Sequence, residues 1–232
     1  MPLGFNKNRA YRFERKFTAT GADRFPLISQ IKTHPAFFHE IYYTRQVNNI
    51  YFDTSSLKFY DDNKIGISER KKVRIRWYGN IDGKITSPKL EYKIKSGLLG
   101  TKWTFDLLDF EIGNNFSENY IFDILQRSNL PKEIAEDLKV LSPTLINSYH
   151  RTYFLSADQK YRLTFDEHLK FYRPSYLKGN PISFPKLHLN HFIVELKYAQ
   201  SEDAHANRVS KLFPYRLDKS SKYVTGIDLT RI

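Results

Sequence analysis

Side chains alternate across a β-strand, so residues two apart share a face. Through much of this chain that period of two sorts apolar groups from charged ones. In Val73-Arg74-Ile75-Arg76-Trp77, two arginines fall on one face and three large apolar groups on the other. The same arithmetic sets Glu14 beside Lys16, Glu91 with Lys93 and Lys95, Tyr149 with Arg151, Arg162 with Thr164 and Asp166, and Glu195 with Lys197. The opposite faces carry Phe13 and Phe17, Tyr92 and Ile94, Leu163 and Phe165, Val194 and Leu196. A chain patterned this way builds sheet, with one face for a core and one rich in cations.

Eight segments alternate: Tyr11 to Phe17, Val47 to Phe52, Lys72 to Tyr78, Lys89 to Lys95, Thr101 to Asp106, Ser148 to Phe154, Tyr161 to Asp166 and Phe192 to Tyr198. About eight strands with few long crossovers predict an α+β fold dominated by an antiparallel β-barrel, with helices at its periphery. Asp23 can cap a helix carrying Leu27, Ile28 and Ile31 and ended by Pro35. Ser117 can cap one carrying Ile121, Phe122 and Leu125. Pro131 opens a third with Ile134, Leu138 and Leu141 on one face, and Asp203 a last one that Pro214 stops. Residues 174–191, with Pro174, Gly179, Pro181 and Pro185, read as a long exposed loop. No linker or repeat divides the chain, so residues 1–232 are expected to form a single domain.

On any one strand, a charged face is ordinarily a solvated one. The repetition argues otherwise. Solvated faces mix signs and include Thr, Ser and Gln, whereas here the shared positions keep returning Arg and Lys. If the sheet closes, those faces converge on a lumen. Two cations about 6 Å apart repel by roughly 3 kcal/mol at an effective dielectric near 20. Such a lining is tolerated when water or a polyanion fills the space. Lysine and arginine outnumber the acids 37 to 25 across the whole sequence, a formal charge of +12, which favours acidic partners. There is no cysteine, which excludes disulfides and thiolate zinc sites. The start, Met1-Pro2-Leu3-Gly4-Phe5-Asn6-Lys7, lacks an apolar signal core, and no apolar run approaches the roughly 20 residues of a membrane span. A soluble, cytoplasmic protein without a transmembrane segment is expected.

Eight motifs in chain order carry a family resemblance. They are Glu14-Arg15-Lys16; Val47-Asn48-Asn49-Ile50-Tyr51-Phe52-Asp53-Thr54; Lys72 to Gly79; Leu90-Glu91-Tyr92-Lys93; Ser148-Tyr149-His150-Arg151; Arg162 to Asp166; Val194 to Tyr198; and Lys219-Ser220-Ser221-Lys222-Tyr223. From about Tyr11 to Ile227 the chain resembles the vacuolar transporter chaperone (VTC) family of the triphosphate tunnel metalloenzymes. The resemblance implies an antiparallel barrel whose basic tunnel holds the phosphates of a nucleotide or of polyphosphate. It implies phosphate-binding roles for Lys16, Arg74, Arg76, Lys93, Lys102, Tyr149, Arg151, Arg162, Lys219, Ser221 and Lys222. Glu195 matches the metal-coordinating glutamate, with Glu14 assisting, for Mn²⁺ or Mg²⁺. Arginine forks suit phosphate oxygens, and hard divalent ions suit carboxylate and phosphate oxygen.

The activity this implies is that of a polyphosphate polymerase, transferring the γ-phosphate of ATP to a growing chain. Arg74, Arg76, Lys219 and Lys222 would carry the catalytic charge neutralisation. The expected partners are ATP or another triphosphate, and polyphosphate. Eukaryotic relatives place an inositol-phosphate-sensing SPX domain before such a domain and membrane helices after it; neither is read here. Two other readings share the site: a tripolyphosphatase or nucleoside triphosphatase, and a non-enzymatic polyanion-binding module. Lys16, where hydrolytic tunnel enzymes more often have a second glutamate, weighs against hydrolysis. No nucleic-acid module, P-loop, kinase signature or H-E-x-x-H zinc motif is present. Plainer roles are also expected. Glu14 and Glu91 can pair with Lys16 and Lys93, Asp166 reads as a strand-end turn residue, Ser221 and Lys222 can begin a helix, and Asp53-Thr54 can cap a helical turn at Ser55–Tyr60.

Overall fold

The computed structural model describes residues 12–21, 23–96, 99–174, 182, 187–189, 191–213, 215–218 and 220–230. All eight alternating segments are strands: β1 (Arg12–Thr20), β2 (His39–Asp53), β3 (Glu69–Tyr78), β5 (Lys89–Ser96), β6 (Leu99–Asp106), β8 (Ser142–Leu155), β9 (Tyr161–Tyr172) and β11 (His191–Ala199). Four short ones join them: β4 (Gly83–Ile85), β7 (Phe110–Ile112), β10 (Leu187–Leu189) and β12 (Arg216–Leu217). The helices are α1 (Arg24–Lys32), α2 (Lys58–Ile65), α3 (Glu118–Arg127), α4 (Lys132–Leu138), α5 (Asp203–Ser210) and α6 (Lys222–Thr230).

The main sheet is antiparallel throughout, in the order β12-β1-β11-β9-β8-β2-β3-β5-β6, with β10 added beside β9; β4 and β7 form a separate pair. The hydrogen-bonded ladder does not close: among the described residues β6 pairs only with β5, and β1 with β11 and β12. The sheet curls until β1 and β6 are neighbours, and Lys93 of β5 reaches Glu14 of β1 at 3.1 Å across the seam. The expected barrel is therefore an open one, its last joint made by side chains. The loop expected at 174–191 falls largely outside the described residues; within it, Leu187–Leu189 is strand, paired with Leu169 to Phe171.

Two apolar cores pack the sheet, and both include its outward residues. One packs the outward residues Ile50, Phe52, Val73, Ile75 and Trp77 against α3, α4 and the β4–β7 pair. The other packs Phe17, Leu163, Phe165, Val194 and Leu196 with Leu27, Ile28 and Ile31 of α1 and Ala206 of α5. Local chemistry sets the helix starts. Ser117 accepts the Tyr120 N–H at 3.1 Å and Pro131 stands at the N-cap of α4, whereas Asp23 precedes α1 without a side-chain capping bond. Asp53 accepts the N–H groups of Thr54, Phe59 and Tyr60 at 2.7–2.9 Å, capping α2 as its position predicts. Pro214, the expected stop of α5, lies outside the described residues.

Helix α6 is different, because it packs on the inner face of the curled sheet. Tyr223 stacks on Tyr51 with ring centroids 5.1 Å apart and donates to Asp53 Oδ2 at 2.5 Å. Gly226 sits against Leu145 and Phe171 so tightly that a Cβ there would lie 2.6 Å from Phe171 Cδ1. Asp228 closes the other side on Tyr60 and Lys64 of α2. The helix thus fills one end of the lumen and turns its N-terminus, with Lys222, toward the remaining space.

Candidate active site: a cationic chamber

The space that α6 leaves is a cavity of about 630 Å³ lined by seven lysines and three arginines against two glutamates. Period-two alternation places them. Lys16 and Glu14 come from β1; Lys72, Arg74 and Arg76 from β3; Lys93 and Lys95 from β5; Lys102 from β6; Tyr149 and Arg151 from β8; Glu195 and Lys197 from β11. Ser221, Lys222 and Tyr223 enter at the start of α6, where the unpaired N–H groups of a helix add positive potential.

The acids are few and each is held by cations. Asp166 is fully buried, accepts both prongs of Arg151 at 2.5 and 2.6 Å, and pairs with Lys222 at 2.5 Å. Its place in the middle of β9 corrects the strand-end reading: this carboxylate anchors two lining cations from behind. Glu195 completes the group, 2.9 Å from Lys197, 3.6 Å from both Lys222 and Arg151, and 3.8 Å from Lys16. Glu14 divides its oxygens between Lys16 and Lys93, each at 3.1 Å. Glu91 holds Arg74 at 2.7 Å and Lys102 at 2.8 Å, so its partners differ from the Lys93 expected of it. Burial alone would push Glu14, Glu195 and Asp166 upward, but the surrounding lysines and Arg151 outweigh it and hold all three below the ordinary carboxylate range. They are ionised at neutral pH.

Cations remain in excess. Lys72 meets no carboxylate at ion-pair distance among the described residues; it donates to Ser221 Oγ at 2.8 Å. Burial, then Lys16, Lys93 and Arg74, depress its ammonium well below the usual lysine value. Tyr149 accepts from Arg76 Nη2 at 3.2 Å; burial raises its phenol, but Arg151, Arg76 and Lys222 bring it below the ordinary value. A chamber with this balance is built to take up negative charge.

The model of the VTC domain family matches residues 11–231. The chain belongs to the VTC domain family. No curated protein matches the chain. Among solved structures, a protein from Pyrococcus horikoshii OT3 is similar at 14% identity and TM-score 0.48, covering 96% of this chain and 100% of that one. A Hippeastrum protein named as an adenylyl cyclase, with a dominant triphosphatase activity, aligns at 12% identity and TM-score 0.49 over 95% of this chain and 96% of its own. An adenylate cyclase-named protein from Vibrio parahaemolyticus aligns at 10% identity and TM-score 0.45, covering 86% of this chain and 84% of that one.

In this VTC domain Lys16, Arg74, Arg76, Lys93, Lys102, Tyr149, Arg151, Ser221 and Lys222 meet in the one chamber, together with Glu14 and Glu195. Arg162 does not join them; it is exposed near the start of β9. Lys219 lies outside the described residues. Sequence reasoning left out Lys72, Lys95 and Lys197 as site residues, although each stands two places from a chosen one on the same strand. It also left out Tyr51 and Tyr223, whose stacked rings floor the chamber.

Proposed function

We propose that this VTC domain is a metal-dependent phosphotransferase that moves the γ-phosphate of ATP onto the end of a polyphosphate chain. The observation that carries the reading is the chamber itself: seven lysines and three arginines facing two glutamates around one cavity of about 630 Å³. Arg74, Arg76 and Arg151 would contact the triphosphate through the guanidinium N–H groups that Glu91, Asn49, Tyr149 and Asp166 leave over, and Arg162, outside the chamber, is left out of this role. Lys222 at the start of α6, and Lys219 just before it, would neutralise charge on the transferring group.

The residues also fit a divalent ion. Glu14 and Glu195 are ionised, face one space, and offer the hard oxygen donors that Mg²⁺ or Mn²⁺ takes alongside phosphate oxygens. When bound, the ion supplies Lewis-acid neutralisation of those oxygens. Lys16 contacts both glutamates and would have to move for an ion to be held between them.

Transfer is read over hydrolysis because the carboxylates of the chamber are engaged by cations: Glu14 by Lys16 and Lys93, Glu195 by Lys197, and Asp166 by Arg151 and Lys222. Water as acceptor has to lose a proton, and Glu14, Glu195 and Asp166, all held below the ordinary range, are poor bases for it. A terminal phosphate already carries an anionic oxygen and needs no base. Incubation of the pure protein with ATP and Mn²⁺, followed by gel analysis and phosphate assay, tests this. Polymer is the expected product. Free phosphate alone would make the chamber a triphosphatase, and neither product would make it a polyanion-binding module.

A further inference from the structure

Beyond the chamber, the inner face of the sheet carries a cluster that the phosphate chemistry does not use. Tyr153 follows Arg151 by two residues on β8 and Tyr78 follows Arg76 by two on β3, so each tyrosine stands about 7 Å past a chamber arginine on the same face. Tyr42 is directly opposite Tyr153 across the β2–β8 ladder, and the two rings meet edge to face with centroids 5.7 Å apart. Arg45 closes the group, its guanidinium 4.6 Å from the Tyr42 centroid, 5.7 Å from Tyr78 and 5.9 Å from Tyr153.

Three features make this a site and not a piece of core. Tyr42 and Tyr78 are 52% and 49% exposed, so aryl surface is open to an incoming group. The ladder pairing of β3 with β2 ends at Tyr78 opposite Val47, which leaves that flank of β2 without a strand from His39 to Arg45 among the described residues. The wall therefore has a gap where the cluster stands. Finally, the buried Thr164 hydroxyl finds no protein partner, and Thr164 pairs across the ladders with both Tyr153 and Glu195, between the cluster and the chamber.

A hydrated phosphate chain has no use for three phenol rings around a single guanidinium. A planar heterocycle does, since every nucleobase offers a π-face to stack on aromatic and guanidinium planes. We propose that Tyr42, Arg45, Tyr78 and Tyr153 form a stacking site for the base of a nucleoside triphosphate whose phosphates lie on Arg76 and Arg151. The site would hold the base of the ATP proposed above as donor, a group that polyphosphate lacks. This rests on the reading that the chamber holds a triphosphate.

Calorimetric titration of ATP and of tripolyphosphate into wild type, Tyr42→Ala and the bulk-conserving Tyr42→Leu separates the two ideas. ATP affinity is expected to fall about tenfold or more in both variants while tripolyphosphate affinity changes less than twofold. Wild type alone gives a second readout: 2-aminopurine riboside triphosphate should lose fluorescence on binding and regain it when displaced by ATP. Equal losses for both ligands, no loss for either, or an unquenched fluorophore would overturn the stacking site while leaving the chamber intact. Failure of tripolyphosphate to bind wild type would take down the chamber reading and this one with it.

Discussion

At the scale of single residues, Asp166 shows how the chamber tolerates its own charge. Its carboxylate is buried beneath Arg151 and Lys222 and touches no solvent, so it fixes both cations in place before any ligand arrives. Removing one partner of a buried ion pair costs about 3–5 kcal/mol, because the other charge is left uncompensated. Asp166→Asn is expected to lower stability to denaturant on that scale, and tripolyphosphate should restore part of it by neutralising the orphaned cations. A variant as stable as wild type in urea would contradict this. Lys93 makes a different point. Burial, with Lys16 and Lys197 against the pull of Glu14 and Glu195, holds its ammonium down to about 8 from an ordinary 10.5. Between those values the unfolded chain binds more protons than the folded one, so stability rises with pH across that window. Polyanion affinity should move the opposite way, falling as pH climbs through 8 and the charge is lost. Solvent reaches 42% of the Lys93 side chain, so added salt should blunt both trends. Melting curves and tripolyphosphate titrations from pH 7 to 10, with Lys93→Met for comparison, check both slopes; the variant should flatten them.

At the scale of elements, α6 is the piece that turns a curled sheet into a chamber. A glycine inside a helix ordinarily costs about 1 kcal/mol relative to alanine. Gly226 reverses that expectation, because a methyl group would drive into Leu145 and Phe171. Gly226→Ala should therefore destabilise by about 1–3 kcal/mol, the usual cost of overpacking. It should also weaken tripolyphosphate binding, since Lys222 and Tyr223 shift with the helix; unchanged melting and binding would show that α6 has room to move. This helix was legible in the sequence only as a start at Ser221 and Lys222. Nothing in its pattern distinguishes packing inside a curled sheet from packing outside one. The eight long strands were legible because alternation over five or more residues has no other simple reading. The three-residue strands Gly83–Ile85, Phe110–Ile112 and Leu187–Leu189 are too short to show a period. Asp166 was misread because β9 does not stop there. The pairing slips between Ser148 and His150, and His168 takes a left-handed φ of 54°, so the alternation breaks while the strand continues.

For the whole molecule, positive charge is what the fold leaves unbalanced, and that excess predicts how the protein responds to ligands. A polyanion that binds only the folded state adds about 2.7 kcal/mol at 100 times its dissociation constant. Tripolyphosphate should raise the melting temperature clearly, and sulfate of equal total charge should not, because only the longer anion spans the lysines and arginines of several strands at once. Equal shifts would reduce the chamber to a generic basic surface. Among the described residues no helix is long and apolar enough to cross a membrane. The joint between β5 and β1 bears on the size of what the molecule can hold. A barrel laddered all the way round has a girth fixed by its backbone, and widening it means breaking a row of hydrogen bonds. Here the last gap is spanned by the Lys93–Glu14 contact, the kind of partly solvated ion pair that is worth about 1 kcal/mol or less. Among the described residues no backbone ladder crosses this seam, so the bore can widen without a row of hydrogen bonds breaking.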